Sequence, residues 1–249
     1  MQDASTSLWV MEWFSEDGSF LALSKAEGEA LSRRDDEDGE KLQKGIDMAI
    51  DRGVLLPMQP MPKYRVIDVC GKSPDDICDF IVRDLGGATG AVVVLCGLSG
   101  TGKGTAVQRL RERLPQATTW SNGNCFRALT RLATLWCDIR GLDDDDSHDF
   151  EKALSPENVA AFMKMLTFDR FGETWDILID GLGYRARVSD VVNTDLKGPA
   201  ISRHIPTVAK ETQGQVVKFA NAAVNRMKDA GLIVILEGRE ETVNYIESP

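Results

Sequence analysis

Histidine is almost missing from this chain: His148 and His204 are its only two in 249 residues. They lie far apart on polar loops, and neither is assigned a catalytic role. The cysteines exclude as much. Cys70, Cys78, Cys96, Cys125 and Cys137 are odd in number and lack Cys-x-x-Cys spacing. That pattern suggests neither a zinc framework nor a disulfide scaffold, fits a reducing compartment, and makes each thiol a small buried hydrophobe. Basic charge is short too: 29 Lys and Arg face 39 Asp and Glu, a net charge of −10. An acidic surface argues against a broad nucleic-acid or anionic-membrane footprint, so an anionic ligand must be met by a local cationic pocket. No apolar run reaches membrane-spanning length, the N-terminus has no signal-like or Arg-rich segment, and no internal repeat is evident. A cytoplasmic protein with no nucleic-acid and no membrane partner is expected.

Apolar residues make up 43% and charged residues 27%, a globular composition with length enough for one large α/β domain or two small ones. Leu8–Phe14 and Ser19–Ser24 predict a hairpin, or a loop entering a strand at Phe20–Leu23. Ser24 and Glu27 predict a capping box for a helix over Lys25–Arg34. The charge run Arg33–Gly39 is a solvated linker or part of a mobile lid. Glu40–Asp51 has helical spacing ended by Gly53, Val54–Pro62 is an extended connector, and Tyr64–Cys70 is strand-like. Ser73-Pro74-Asp75-Asp76 opens a helix with a cap, a proline in the first position and acids at the positive dipole end. It runs to Leu85, before a flexible joint at Gly86–Gly90.

From Val92 an apolar strand stops abruptly in Gly97-Leu98-Ser99-Gly100-Thr101-Gly102-Lys103-Gly104-Thr105, and a helix follows to Leu114. Gly-x-x-x-x-Gly-Lys between strand and helix predicts a phosphate cradle. Its glycines let backbone N–H donors converge on oxygens, and Lys103 adds a charge that follows a phosphoryl group. Gly104 stands where the strict motif has Ser or Thr, so the hydroxyl comes one residue later, at Thr105.

Downstream, Ala117–Trp120 is a strand and Ser121–Asn124 turns into a helix from Cys125 to Ile139. Asp143–Asp146 is an acid cluster on an exposed loop, and Ser155-Pro156-Glu157 opens a helix to Met165. Trp175–Asp180 is a strand before Gly181-Leu182-Gly183, and Pro206–Ala230 is a long amphipathic helix. Leu232–Leu236 is an apolar strand ending in Glu237-Gly238-Arg239-Glu240. Apolar strands alternating with helices predict an α/β fold, a parallel sheet covered by helices on both faces.

Magnesium beside such a loop needs an acid at the carboxyl end of a neighbouring strand. Asp180 and Glu237 are the candidates. Glu237 is favoured because its strand is longer, follows the long helix, and brings Arg239 and Glu240 to the same rim. Arg127, four residues after Gly123 at a helix opening, has the geometry to fork onto a second phosphate.

These segments resemble the nucleoside monophosphate kinases, and most of all the cytidylate kinases. Gly97–Thr105 resembles their phosphate loop and Ser121–Arg127 their acceptor segment. Tyr184–Ser202 with Ile205–Val208 is similar to their inserted monophosphate-binding region, and Glu237–Glu240 to their Asp-Gly-Arg-Asp signature with both acids lengthened. The resemblance implies a three-layer P-loop NTPase fold and magnesium-dependent phosphoryl transfer from ATP to a nucleoside monophosphate, CMP or dCMP before others. It makes Lys103, Arg127 and Arg239 catalytic, and has Ser99, Gly100, Thr101, Gly102, Lys103, Gly104 and Thr105 hold ATP. Asn122, Gly123, Arg127, Arg239 and Glu240 would bind the acceptor, and Glu237 with Thr105 would hold magnesium.

The family elements that follow the signature are matched here by the front of the chain. Ser19–Arg34 resembles a fourth strand and lid helix, and Glu40–Arg52 the lid's second helix. Tyr64–Gly71 with Ser73–Leu85 resembles the last strand and helix. The order implies a circular permutation within one domain, residues 1–249, with Gly86–Gly90 joining the old termini. Only Arg33, Arg34 and Arg52 are available to the lid, and Thr207, Ala209 and Lys210 stand where the family commonly has a phosphate-binding arginine. That thin arginine set motivates an alternative, a weak or inactive nucleotide-binding subunit with a structural or regulatory role in a larger protein assembly.

Overall fold

The computed structural model describes residues 9–58, 61–143 and 147–247. In chain order the elements are α1 (Gly18–Asp51), α2 (Pro74–Leu85), β1 (Val92–Cys96), α3 (Lys103–Arg113), β2 (Ala117–Trp120), α4 (Asn122–Arg140) and α5 (Ser147–Ala153). There follow α6 (Pro156–Lys164), β3 (Leu166–Phe171), β4 (Thr174–Gly181), β5 (Tyr184–Arg187), α7 (Val188–Val191), α8 (Pro199–Asp229), β6 (Ile233–Gly238) and α9 (Glu240–Val243). The chain divides into two compact units, one of residues 1–41, 58–120 and 226–249, the other of 42–57 and 121–225.

The first unit is built on a three-stranded parallel sheet in the order β1-β6-β2. Val92 lies opposite Val234, Leu95 opposite Glu237, and Trp120 opposite Leu236. On one face Val93, Ile233 and Ile235 pack with Ala106 and Leu110 of α3 and with Cys78 and Ile81 of α2. On the other face Val92, Val234 and Leu236 are buried as well. Burial on both faces is why β6 and the start of β1 are continuous apolar runs, each such side chain contributing about 1.5–3 kcal/mol. Ion pairs tie α3 to α2: Arg109 meets Asp75 at 2.6 Å and Arg113 meets Asp79 at 2.6 Å.

The front of the chain departs from expectation. Phe20–Leu23 is helical, not a strand, and α1 runs unbroken through Ser24 and through the charge run at 33–39. Its start is Asp17, whose carboxylate accepts the Phe20 N–H at 2.9 Å. Leucine and alanine are strong helix formers, and Leu21 and Leu23 stay exposed, so no sheet claims them. Tyr64–Cys70 forms no strand either. This segment stands off from the open edge of β1 across a cavity of about 490 Å³, lined among others by Pro62, Tyr64, Ile67, Val92 and Val94. Neither front strand of the permuted order is therefore formed, and β1 is an edge strand among the described residues.

The second unit holds a separate antiparallel sheet, β3-β4-β5. The strand expected at Trp175–Asp180 is real, yet it belongs here and not to the parallel sheet, and its neighbours β3 and β5 had no prediction. Leu182 and Gly183 join β4 to β5 with φ of 52° and 76°, the two positive values a tight two-residue hairpin needs. Leu129, Leu132, Phe150, Phe162, Ile179 and Val188 are buried here. His204 is not on a polar loop: it is buried on α8 and stacks on Phe150, ring centres 3.8 Å apart. Pro206 lies inside α8, which starts seven residues earlier at Pro199. Gly214 of α8 lets α1 approach closely, since a Cβ there would sit 2.3 Å from the Ala49 Cβ.

Cys78, Cys125 and Cys137 are buried as expected, whereas Cys70 is exposed. Burial pushes the Cys78 and Cys125 thiols up, which keeps them inert. Residues 144–146 of the acid cluster and the side chain of His148 lie outside the described residues. Among the described residues no helix is long and apolar enough to cross a membrane.

Candidate phosphate-binding site

The glycine loop leaves β1 at Cys96 and enters α3 at Lys103. Gly100 and Gly102 have φ of 77° and 82°, a left-handed conformation that glycine alone adopts cheaply. Gly102 is the residue before the helix, and no side chain caps the first turn of α3. Its leading N–H donors and the positive end of its dipole are thus available to an anion from outside the chain. Lys103 Nζ donates to the Leu98 carbonyl at 2.6 Å, and Thr101 Oγ1 donates to the same oxygen at 2.8 Å. The lysine lies folded across its own loop.

Parallel pairing brings β6 to this point. With Leu95 opposite Glu237 and Cys96 opposite Gly238, both strands end at one rim. The Glu237 carboxylate oxygens stand 3.8 and 3.9 Å from where a Cβ on Gly104 would be, so the acid reaches the first turn of α3 over a bare Cα. Thr105, one residue on, is exposed. Asp180, the other candidate, lies on β4 of the antiparallel sheet and pairs with Arg185 at 3.4 Å. Among the described residues no three His, Cys, Asp or Glu gather into a metal cage. Magnesium ordinarily takes one or two carboxylates besides phosphate oxygens and waters, and Glu237 at the loop fits that requirement.

Arg239 follows on the same rim. Its Nη2 donates to Asp35 Oδ1 and, at 3.4 Å, to Ser99 Oγ. Asp35 Oδ2 accepts the Ser99 backbone N–H at 2.7 Å. The Arg239 guanidinium and then the Ser99 donors hold the Asp35 carboxyl well below the usual carboxylate range. The same partner raises Arg239. Nothing in the sequence singles out Asp35, one acid in a run of four, because its role comes from a contact 204 residues away.

Three of the residues expected to bind an acceptor, Asn122, Gly123 and Arg127, stand on the second unit, at the start of α4. Ser121 precedes the helix without a side-chain cap bond, and Arg127 folds back so that its Nη1 is 3.1 Å from the Cβ position of Gly123. Asn122 is partly buried beside them. One turn on, Arg131 lies over the Tyr184 ring at 5.0 Å. Lys103, Glu237, Arg239 and the exposed Glu240 belong to the first unit. Of the lid candidates, Arg52 pairs with Glu211 at 3.0 Å, and Arg33 and Arg34 are exposed on α1. No protein-family model matches this chain, and no curated protein does.

Proposed function

We propose that this chain is a P-loop nucleoside monophosphate kinase that moves the γ-phosphoryl of ATP to a pyrimidine monophosphate, CMP or dCMP. The observation that supports it most is the rim where β1 and β6 end together. There the uncapped helix start and folded lysine of the glycine loop lie beside the carboxylate that ends β6. Phosphoryl transfer asks a protein mainly to position groups and neutralise charge. Lys103 exchanges the Leu98 carbonyl for a phosphate oxygen, and the N–H donors after Gly100 orient the triphosphate. Glu237, with the Thr105 hydroxyl, is the residue to hold magnesium, which supplies charge neutralisation on the phosphate oxygens. For the acceptor phosphate the candidates are Arg127 with Asn122 and Gly123 on the second unit, and Arg239 with Glu240 on the first, each arginine able to fork onto two oxygens.

An ADP-release assay across CMP, dCMP, UMP and AMP, with Lys103→Ala as control, tests this. Turnover on a pyrimidine monophosphate that disappears in the variant is the expected outcome. One observation favours a second reading, a nucleotide-binding subunit without turnover. Arg239 is engaged by Asp35 and Arg52 by Glu211, so two of the arginines a kinase would use are already paired. ATP binding with no turnover on any acceptor selects that reading.

A further inference from the structure

We infer that Asp35 is an internal competitor for the phosphate ligand of the glycine loop, so that the front of α1 must leave before the site fills. The inference rests on the reading above that the loop binds phosphate. Asp35 offers one oxygen to the Ser99 N–H and the other to Arg239. A loop amide and a guanidinium are what a pair of phosphate oxygens would receive, so the carboxylate stands in for the ligand.

Two further features make this contact a brake and not a scaffold. Arg239 is already surrounded by acid, for Asp38 and Glu241 act on it besides Asp35. A phosphate dianion arriving with Asp35 in place would meet like charge in a partly buried corner. The helix is also poorly anchored there. From residue 9 to residue 41, Asp35 is the only buried residue, and Leu21, Leu23 and Leu31 face solvent. The front of α1 is therefore held to the first unit through this polar clasp, with almost no apolar burial to lose on release. An ATP phosphate that takes over the Ser99 N–H and repels the Asp35 carboxylate removes what holds the segment down, and leaves Arg239 to the acceptor phosphate.

The test measures magnesium-ATP affinity by calorimetry on the full chain and on Asp35→Asn. It also follows hydrogen exchange in residues 18–41 of both proteins, with and without ATP. If the clasped form makes up about nine tenths of the free protein, Asp35→Asn lowers the apparent Kd about tenfold. ATP speeds exchange in residues 18–41 of the wild type, and in Asp35→Asn that exchange is fast before ATP is added. Equal ATP affinity in the two proteins overturns the competition while leaving phosphate binding intact. Wild-type exchange in residues 18–41 that ATP slows or leaves unchanged overturns it too, without need of the variant. Absence of ATP binding in both proteins overturns the underlying reading along with it.

Discussion

Two helices that pack together in the first unit begin in opposite ways. At the start of α2, Ser73 accepts the Asp76 N–H at 3.2 Å and Asp76 accepts the Ser73 N–H at 3.0 Å. Proline and acidic residues fill the first turn. Every device for closing a helix start from within is present. At the start of α3 none is: the residue before it is Gly102 at φ 82°, no side chain caps the turn, and the first helical residue is Lys103. The closed start is self-sufficient and serves stability. The open one, with a cation where α2 has acids, forgoes that stabilisation and leaves its leading donors without a side-chain cap, as the proposed anion site requires.

Lys103→Ala breaks the open start and carries the largest effect. On the proposed reading, removing the charge that would meet the phosphoryl group should cut turnover by about 10² or more in the ADP-release assay, with the thermal midpoint nearly unchanged. Next is Glu237→Gln, where the magnesium-dependent part of ATP affinity should vanish in paired titrations with and without the metal, and metal-free binding persist. A third helix start sharpens the contrast. Gly123→Ala puts a methyl group 3.1 Å from Arg127 Nη1 and should raise the KM for CMP several-fold while leaving that for ATP alone.

The smallest effect belongs to the closed start: Ser73→Ala should cost about 1 kcal/mol in urea unfolding and leave ATP binding untouched. Its pH signature has a definite sign. The Ser73 side chain first, then its backbone, lowers the Asp76 pKa. The stabilisation is thus complete above the unfolded carboxylate value, near pH 4, and is lost as pH falls through the folded one. The stability difference between wild type and Ser73→Ala should narrow as pH falls below about 4, the part that remains being the Asp76 N–H bond to the Ser73 hydroxyl.

Local signals were legible and non-local ones were not. The cap at Ser73 and the proline after it depend on residues within one turn, and both stand as expected. So do the apolar strands β1 and β6, whose two buried faces leave no polar alternation. Phe20–Leu23 misled because four apolar residues fit a strand or a helix equally well, and only the Asp17 cap and the absence of a sheet partner settled it. Tyr64–Cys70 has the β-branched content of a strand, yet a strand exists only through ladder bonds, and these it lacks. Pro206 misled for the opposite reason: a proline usually opens a helix, but packing along α8 tolerates the one bond it removes.

Sequence by itself determined the glycine loop between an apolar strand and a helix, since spacing and φ preference are properties of consecutive residues. It also determined that Glu237 and Arg239 end a buried strand. Tertiary structure alone decided that this strand lies beside β1 in parallel, that Asp180 belongs to another sheet, and that Asp35 reaches Arg239. Those are pairings between distant segments. Their energy comes from shared burial and charge, and no local pattern encodes which partner will be met.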